Sequence, residues 1–366
     1  MGKIAVADVG TFSTKVVIGE SNEGLIDLTG IGKSSSEGVS DGRIVKSDQV
    51  AKSLREATDR AEEMASEEIH SVYIGVGGNL LSFSMNDATI TISSGDRIVK
   101  QKDVTRIKDL VSSIDTGVHN KIVSTIPQRF TLDGQEGIIN PIGLQGRRLE
   151  VEATLFLVNE KCIRNYNKVA TRAGLTVEKL VPTPFCTGEL LLTEEEKNRG
   201  KALIDFGMDT TKLITFKEGQ FSDCITLSLG GKNLTGDLSA KLNAPSTEAR
   251  GIKHDFKLEE PGGQTNQLDQ TSNPFQKYNR GDREEIYTTL TARIEEIFEL
   301  ILSRARNRGH DKLLEYGIKI TGGSAKLPGL VEVLNDKFEP NFELGNPTRP
   351  IRGIKDVIED PSYGPV

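Results

Sequence analysis

The first apolar run, K-I-A-V-A-D-V-G (residues 3–10), breaks at a turn and resumes as K-V-V-I-G-E from Lys15. This predicts two strands around a tight loop with Gly10 in the turn. From Ser47 the period changes to helical: Val50, Leu54, Ala57, Ala61 and Met64 recur on one face, with Ser47 or Asp48 as the N-cap. The run S-V-Y-I-G-V then predicts another strand. Residues 79–158 form a separate small unit, with strands around Phe83 to Ile92, a helix carrying Val104, Ile107, Leu110 and Val111, and strands I-V-S-T-I-P and E-A-T-L-F-L-V. A helix from Glu160 to Ala173 ends at Gly174 as its C-cap. The run K-A-L-I-D-F-G (201–207) then repeats the opening theme, and Y-G-I-K-I-T-G-G-S (316–324) repeats its logic again before a helix with Leu330, Val333 and Leu334. Residues 259–282, rich in Gly, Gln and Asn, predict a long surface loop. The apolar stripe Ile286, Leu290, Ile294, Ile297 and Ile301 after it reads as a core-facing helix.

Two related α/β halves, each with a glycine-bearing turn at a strand end, are suited to grip one phosphate chain between them. The rest of the composition narrows the setting. The 366 residues suffice for two or three domains, and 46 Lys plus Arg against 53 Asp plus Glu leave a net charge of −7. With a pI near 5.4 and no long basic run, non-specific nucleic-acid binding is excluded as the main role, and no nucleic-acid partner is expected. Cys162, Cys186 and Cys224 are dispersed, as are His70, His119, His254 and His310, so neither a disulfide framework nor a zinc site is expected. No secretory leader or membrane-spanning run is expected, and a cytoplasmic setting follows.

The loop D-V-G-T-F-S-T-K carries the chemistry of a phosphate site. Gly10 allows the tight turn, the hydroxyls of Thr11, Ser13 and Thr14 and successive N–H groups donate to phosphate oxygens, and Lys15 adds a cation. Asp8 would hold a hydrated Mg²⁺, because direct contact between carboxylate and phosphate is repulsive. D-F-G-M-D-T-T-K offers the same set in Asp205, Gly207, Thr210, Thr211 and Lys212. In I-T-G-G-S, Gly322 and Gly323 follow a strand where backbone can lie flat against a nucleoside, with Ser324 beside them. One such loop is equally a hairpin with a polar turn; three in the same order favour phosphate binding. G-V-G-G-N (75–79) might suggest a dinucleotide loop, but it lacks the third glycine of the G-x-G-x-x-G pattern and a following helix, so it reads as a strand-end turn.

The three loops resemble those of the actin, sugar-kinase and Hsp70 ATPase superfamily. Within it, G-I-G-K-S-S-S-E-G-V-S-D-G-R-I-V, I-P-Q-R-F-T-L-D-G-Q-E-G-I-I-N-P-I-G-L-Q-G, L-T-E-E-E-K-N-R-G, L-G-G-K-N-L-T-G-D-L and I-T-G-G-S-A-K-L-P-G-L closely resemble the bacterial cell-division family FtsA. Gln135 to Gly146 is the most specific of these segments, and the likeness spans essentially the whole chain. The resemblance implies an α/β, actin-like two-lobed fold of duplicated ribonuclease-H-like domains with an inserted small domain. The first lobe would take residues 1–78 and 159–184, and the inserted domain 79–158. The second lobe would take 185–228 and 302–366, with its small subdomain at 229–301. The family binds ATP, polymerises, and ties the tubulin-like FtsZ ring to the inner face of the cell membrane, and its inserted domain recruits later division proteins. The implied cofactors are ATP or ADP with Mg²⁺, and the implied location is the cytoplasmic membrane face at the division site.

Several positions depart from the family pattern. Its second loop is usually D-x-G-G-G-T-x-D, but here Met208 and Asp209 replace two glycines and Lys212 replaces the final Asp. Strain at a left-handed turn and repulsion between Asp209 and phosphate are expected, with Lys212 compensating, so at most weak ATPase activity is expected. The A-E-x-x-K helix segment is T-E-A-R-G-I-K here, which assigns Glu248 and Lys253 to the nucleoside. Arg293 and Arg304, on the polar side of the long helix, are placed in contact with the FtsZ C-terminal peptide. The family's C-terminal membrane-binding helix is not within the 366 residues, so membrane contact is expected through that missing helix or a partner. Two alternatives stand beside this reading: a non-polymerising adaptor like the pilus-assembly relatives, and a small-molecule kinase. The kinase lacks an obvious substrate segment with a carboxylate base.

Overall fold

Residues 3–22, 25–259 and 280–364 are described by the computed structural model. Most of the 259–282 loop expectation lies outside the described residues, and a helix, Arg280–Asn307, has already begun at 280.

The opening apolar run forms Ile4–Val9 and, after the turn, Ser13–Asn22, paired antiparallel. The first sheet has six described strands in the order Thr176–Pro182, Ser71–Val76, Ile4–Val9, Ser13–Asn22, Leu25–Ser35 and Ile351–Arg352. The helix Ser47–Ala65 covers it, burying Val50, Leu54, Ala57 and Ala61. The packing is close enough to demand glycine at Gly32, where an added Cβ would lie 1.7 Å from the Ala57 carbonyl oxygen. Two expectations for this helix are corrected. Its N-cap is Lys46 with no side-chain cap, and Met64 is 54% exposed because the stripe ends at Ala61.

The second sheet repeats this plan with Gln220–Leu227, Thr211–Lys217, Ala202–Phe206, Ile318–Thr321 and Phe342–Leu344 in order. Gly231–Lys241, Ser246–Asp255 and Arg280–Asn307 pack on it. Leu234, Leu238, Ile252, Ile286, Leu290, Ile294 and Ile301 share one core with Ile204, Phe206 and Ile320. Residues 229–301 therefore have no separate core among the described residues. Ile351–Arg352 pairs with Leu25–Ser35, returning the tail of the 302–366 segment to the first sheet.

Between the two halves, Leu81–Thr91, Arg148–Asn159, Asn120–Leu132 and Gln135–Ile138 form a four-stranded antiparallel sheet carrying the helix Gln101–Ser112. Phe83 and Phe156 of that sheet meet Phe221 of the second, with ring centroids 5.2 Å and 5.1 Å away. This aromatic joint fixes the small sheet against the second half.

Candidate functional site

The turns of the two hairpins and the end of Ile318–Thr321 converge on a cavity of about 270 Å³. Asp8, Gly10, Thr11, Ser13 and Lys15 line it from the first half; Asp205, Gly207, Asp209 and Thr210 line it from the second. Gly322, Gly323, Ser324 and Lys253 also line it.

Strand alternation decides which hydroxyls reach the cavity. Ser13 and Lys15 point inward, whereas the fully buried Thr14 shares a 2.8 Å hydrogen bond with the Ser36 hydroxyl. The second hairpin behaves alike: Thr210 and Lys212 face the cavity, and Thr211 Oγ1 donates to the Leu229 carbonyl at 2.8 Å. Thr14 and Thr211 are thus turned away from where phosphate would lie, correcting the expectation that each loop contributes all its hydroxyls.

The hairpins also share a register. Asp8 lies opposite Lys15, and Asp205 opposite Lys212. The Lys212 ammonium donates to Asp205 Oδ2 at 2.7 Å. Burial opposes its charge, but the Asp205 pair outweighs that and raises its pKa. Lys212 therefore compensates Asp205, not Asp209. Lys15 turns to the Ser362 carbonyl, to which it donates, and its ammonium lies 4.7 Å from the Tyr363 ring centroid. Burial lowers its pKa and raises that of Asp8, which Lys15 and Lys212 partly offset.

Asp209 is 6% exposed, and its Oδ2 accepts from the Asp41 backbone N–H at 2.9 Å. The expected left-handed strain is not present: neither Met208 nor Asp209 has positive φ. In the third loop, Gly322 has φ of 95°, and an added Cβ would lie 2.5 Å from Asp205 Oδ1. Its N–H donates to the Pro361 carbonyl at 3.0 Å, which also accepts from Thr321 Oγ1 at 2.8 Å. Ser324 Oγ donates to the Gly207 carbonyl at 3.0 Å, so the second and third loops are directly joined.

Of the two residues assigned to the nucleoside, Lys253 is buried in the lining and donates to the Gly231 carbonyl at 2.9 Å. Burial and the neighbouring Arg250 push its pKa down to about 8. Glu248 is exposed and outside the lining, because five residues before Lys253 on Ser246–Asp255 it sits off the face that Lys253 uses. The residue on that face is Arg250, whose guanidinium stacks 5.5 Å from the Phe12 ring centroid. Arg293 is ion-paired with Asp237 and Glu296, and Arg304 donates to the Thr226 carbonyl at 3.4 Å; neither lines the cavity.

Sequence reasoning missed Lys33, Asp41, Tyr166, Thr183 and Arg250, and it read Gly75, Gly77 and Gly78 as a structural turn although all three line the cavity. The strand-end position of G-V-G-G-N, shared with the other loops, was the available signal. Among the described residues no three Asp, Glu, His or Cys side chains converge to hold a metal ion directly. A hydrated Mg²⁺ beside Asp8 and Asp205 fits this donor set, since water and phosphate oxygens would complete its shell. Among the described residues no helix is long and apolar enough to cross a membrane.

A family model described as the SHS2 domain inserted in FTSA matches residues 78–157, and one described as cell division protein FtsA matches residues 202–364. The chain is 30% identical over 342 residues to cell division protein FtsA of Bacillus subtilis, covering 93% of this chain and 78% of that protein. It is 31% identical over 345 residues to FtsA of Enterococcus faecalis (92% and 77% covered) and 27% identical over 366 residues to that of Escherichia coli K12 (97% and 86%). Among solved structures it is similar to the PilM-PilN type IV pilus biogenesis complex, with TM-score 0.68, 15% identity, and coverage of 99% and 95%. It is also similar to ethanolamine utilization protein EutJ from Carboxydothermus hydrogenoformans (TM-score 0.58, 15% identity, 100% and 89% covered). MreB5 of Spiroplasma citri bound to ADP gives TM-score 0.51 at 13% identity, with 94% and 92% covered. The fold is actin-like and α/β, with the FtsA-type inserted domain.

Proposed function

Because this chain belongs to the FtsA family of cell-division proteins, we propose that it is a nucleotide-gated scaffold that binds Mg²⁺ with ATP or ADP in the interlobe cavity. The observation that carries this reading is the convergence of three glycine-bearing strand ends, Gly10, Gly207 and Gly322, on one cavity with Lys15 and Lys253 in its wall. Gly10, Thr11, Ser13 and Lys15 would hold one side of the phosphate chain, and Gly207, Asp209 and Thr210 the other. Gly322, Gly323, Ser324, Lys253 and Arg250 would surround the nucleoside. Asp8 and Asp205 would bind the metal through its waters. The bound group supplies charge that draws the lobes together, and closure sets the surface for self-assembly. Hydrolysis is not required by this scheme.

The partners that follow are further copies of the chain and the FtsZ C-terminal peptide beside Arg293 and Arg304, with the 79–158 unit receiving other division proteins. Its place would be the cytoplasmic membrane face at the division site. Sedimentation and electron microscopy with ATP, on anionic lipid with a membrane-binding tail fused, test assembly: filaments are expected, and monomers at every concentration overturn it. The pilus-type adaptor reading rests on fold likeness alone. A pull-down retaining a pilus-type cytoplasmic peptide and not the FtsZ peptide would favour it.

A further inference from the structure

Val39–Ser40 and Arg43–Ile44 form a two-residue hairpin. Its turn residues Asp41 and Gly42 have φ of 49° and 71°, the paired positive values of a tight I′-type turn. The hairpin tip lines the interlobe cavity from the first half, and its Asp41 N–H reaches Asp209 Oδ2 in the second. The second oxygen, Asp209 Oδ1, is buried and accepts no hydrogen bond. The nearest cation, Lys232 Nζ, is 3.9 Å from it, beyond hydrogen-bond reach, and is itself 65% exposed. The loop cannot readily swing to relieve this. Gly207 N–H donates to the Thr210 carbonyl at 2.9 Å, Gly231 N–H to the Gly207 carbonyl at 3.0 Å, and Lys232 N–H to the Met208 carbonyl at 2.8 Å.

A carboxylate oxygen taken out of water and left without a donor is costly, and the group that best answers it is a cation or a water polarised by one. The cavity that Asp209 helps to line also holds Asp8 and Asp205, the carboxylates suited to a hydrated divalent ion. We propose that Asp209 is a third carboxylate for the hydrated divalent cation that accompanies the nucleotide, accepting from a metal-bound water on Oδ1 while Oδ2 keeps the Asp41 hairpin docked. One side chain then links the cation to closure of the first-half hairpin over the second phosphate loop. This rests on the nucleotide reading above, and it assigns a role to the position where the loop departs from the D-x-G-G-G-T pattern.

Fluorescent ADP and ATP are titrated into the full chain with saturating Mg²⁺ and with EDTA, for the wild type, Asp209→Asn and Asp209→Gly. Hydrogen exchange is followed over residues 38–45 of the same proteins. Asn retains an acceptor for the Asp41 N–H and loses the charge; Gly loses both. The expected result is a Mg²⁺-dependent gain in wild-type affinity that falls about tenfold in both variants, the scale of one charge-assisted hydrogen bond. Hairpin protection should persist in Asn and vanish in Gly. A wild type whose affinity ignores Mg²⁺, or an Asn variant that keeps the full Mg²⁺ gain, overturns the proposal. So does tighter binding in EDTA by both variants with the gain unchanged, which would make Asp209 merely repulsive. A wild type that binds neither nucleotide in either condition instead overturns the nucleotide reading, so the two failures are distinguishable.

Discussion

Lys212 and Asp205 sit directly across one hairpin from each other, and their side chains close a 2.7 Å ion pair in the cavity wall. Asp205 is only 5% exposed, so removing its partner strands a buried charge. Lys212→Met should lower unfolding free energy by about 3–5 kcal/mol. Adding Asp205→Asn should recover much of that loss in urea denaturation; strict additivity of the two single effects would show that the pair is not coupled.

Gly322 and Gly323 separate two requirements. At Gly322, an added Cβ meets Asp205 Oδ1 at 2.5 Å and the Phe206 carbonyl oxygen at 2.6 Å, so Gly322→Val should lose both stability and fluorescent-nucleotide binding. At Gly323 an added Cβ meets nothing within 4 Å. Gly323→Ala should keep the wild-type Tm yet bind nucleotide about tenfold more weakly, from steric overlap of one to a few kcal/mol with the nucleoside. Undiminished affinity would remove that glycine from the nucleoside surface.

Lys253 gives the site a pH dependence. Its pKa near 8 means that the ammonium is charged below that value and neutral above it. Nucleotide affinity should therefore fall as pH rises from 7 to about 9.5, and Lys253→Met should flatten the profile. Stability runs the other way. The unfolded lysine stays protonated to its ordinary value of about 10.4, so the unfolded state binds more protons between about 8 and 10.4 and stability rises across that window. Isothermal titration in matched-ionisation buffers checks the first effect and thermal melts the second.

Arg293 joins two helices through Asp237, with both side chains about a quarter to a third exposed. A pair this exposed contributes at most about 1 kcal/mol. If the FtsZ peptide binds beside it, Arg293→Ala should weaken peptide affinity about tenfold, more than the stability change accounts for. Equal peptide affinity by fluorescence anisotropy would move the contact elsewhere.

The three loops were legible because their chemistry is local: an apolar strand, a carboxylate, a turn glycine and hydroxyls lie within eight residues. Which hydroxyls face the cavity was not, since Thr14 and Thr211 differ from Ser13 and Thr210 only by a strand register fixed through pairing. Arg250 and Glu248 show the helical version of the same limit. Asp41 belonged to a hairpin whose partner, Asp209, is 168 residues distant. No local pattern encodes that approach. The N-cap misassignment has a similar origin, because Ser47 and Asp48 are good capping types, yet the chain enters the helix one residue earlier at Lys46.

The turn Pro361–Tyr363 takes Lys15 from one sheet and Thr321 and Gly322 from the other on two consecutive carbonyls. Asp41 and Asp209 make a second tie on the cavity side. The Ile351–Arg352 pairing and the Phe83, Phe156 and Phe221 joint tether the second half elsewhere, to the first sheet and to the small sheet. A swing that opens the cavity must therefore release the two cavity-side ties or carry with it the turn and the hairpin that hold them.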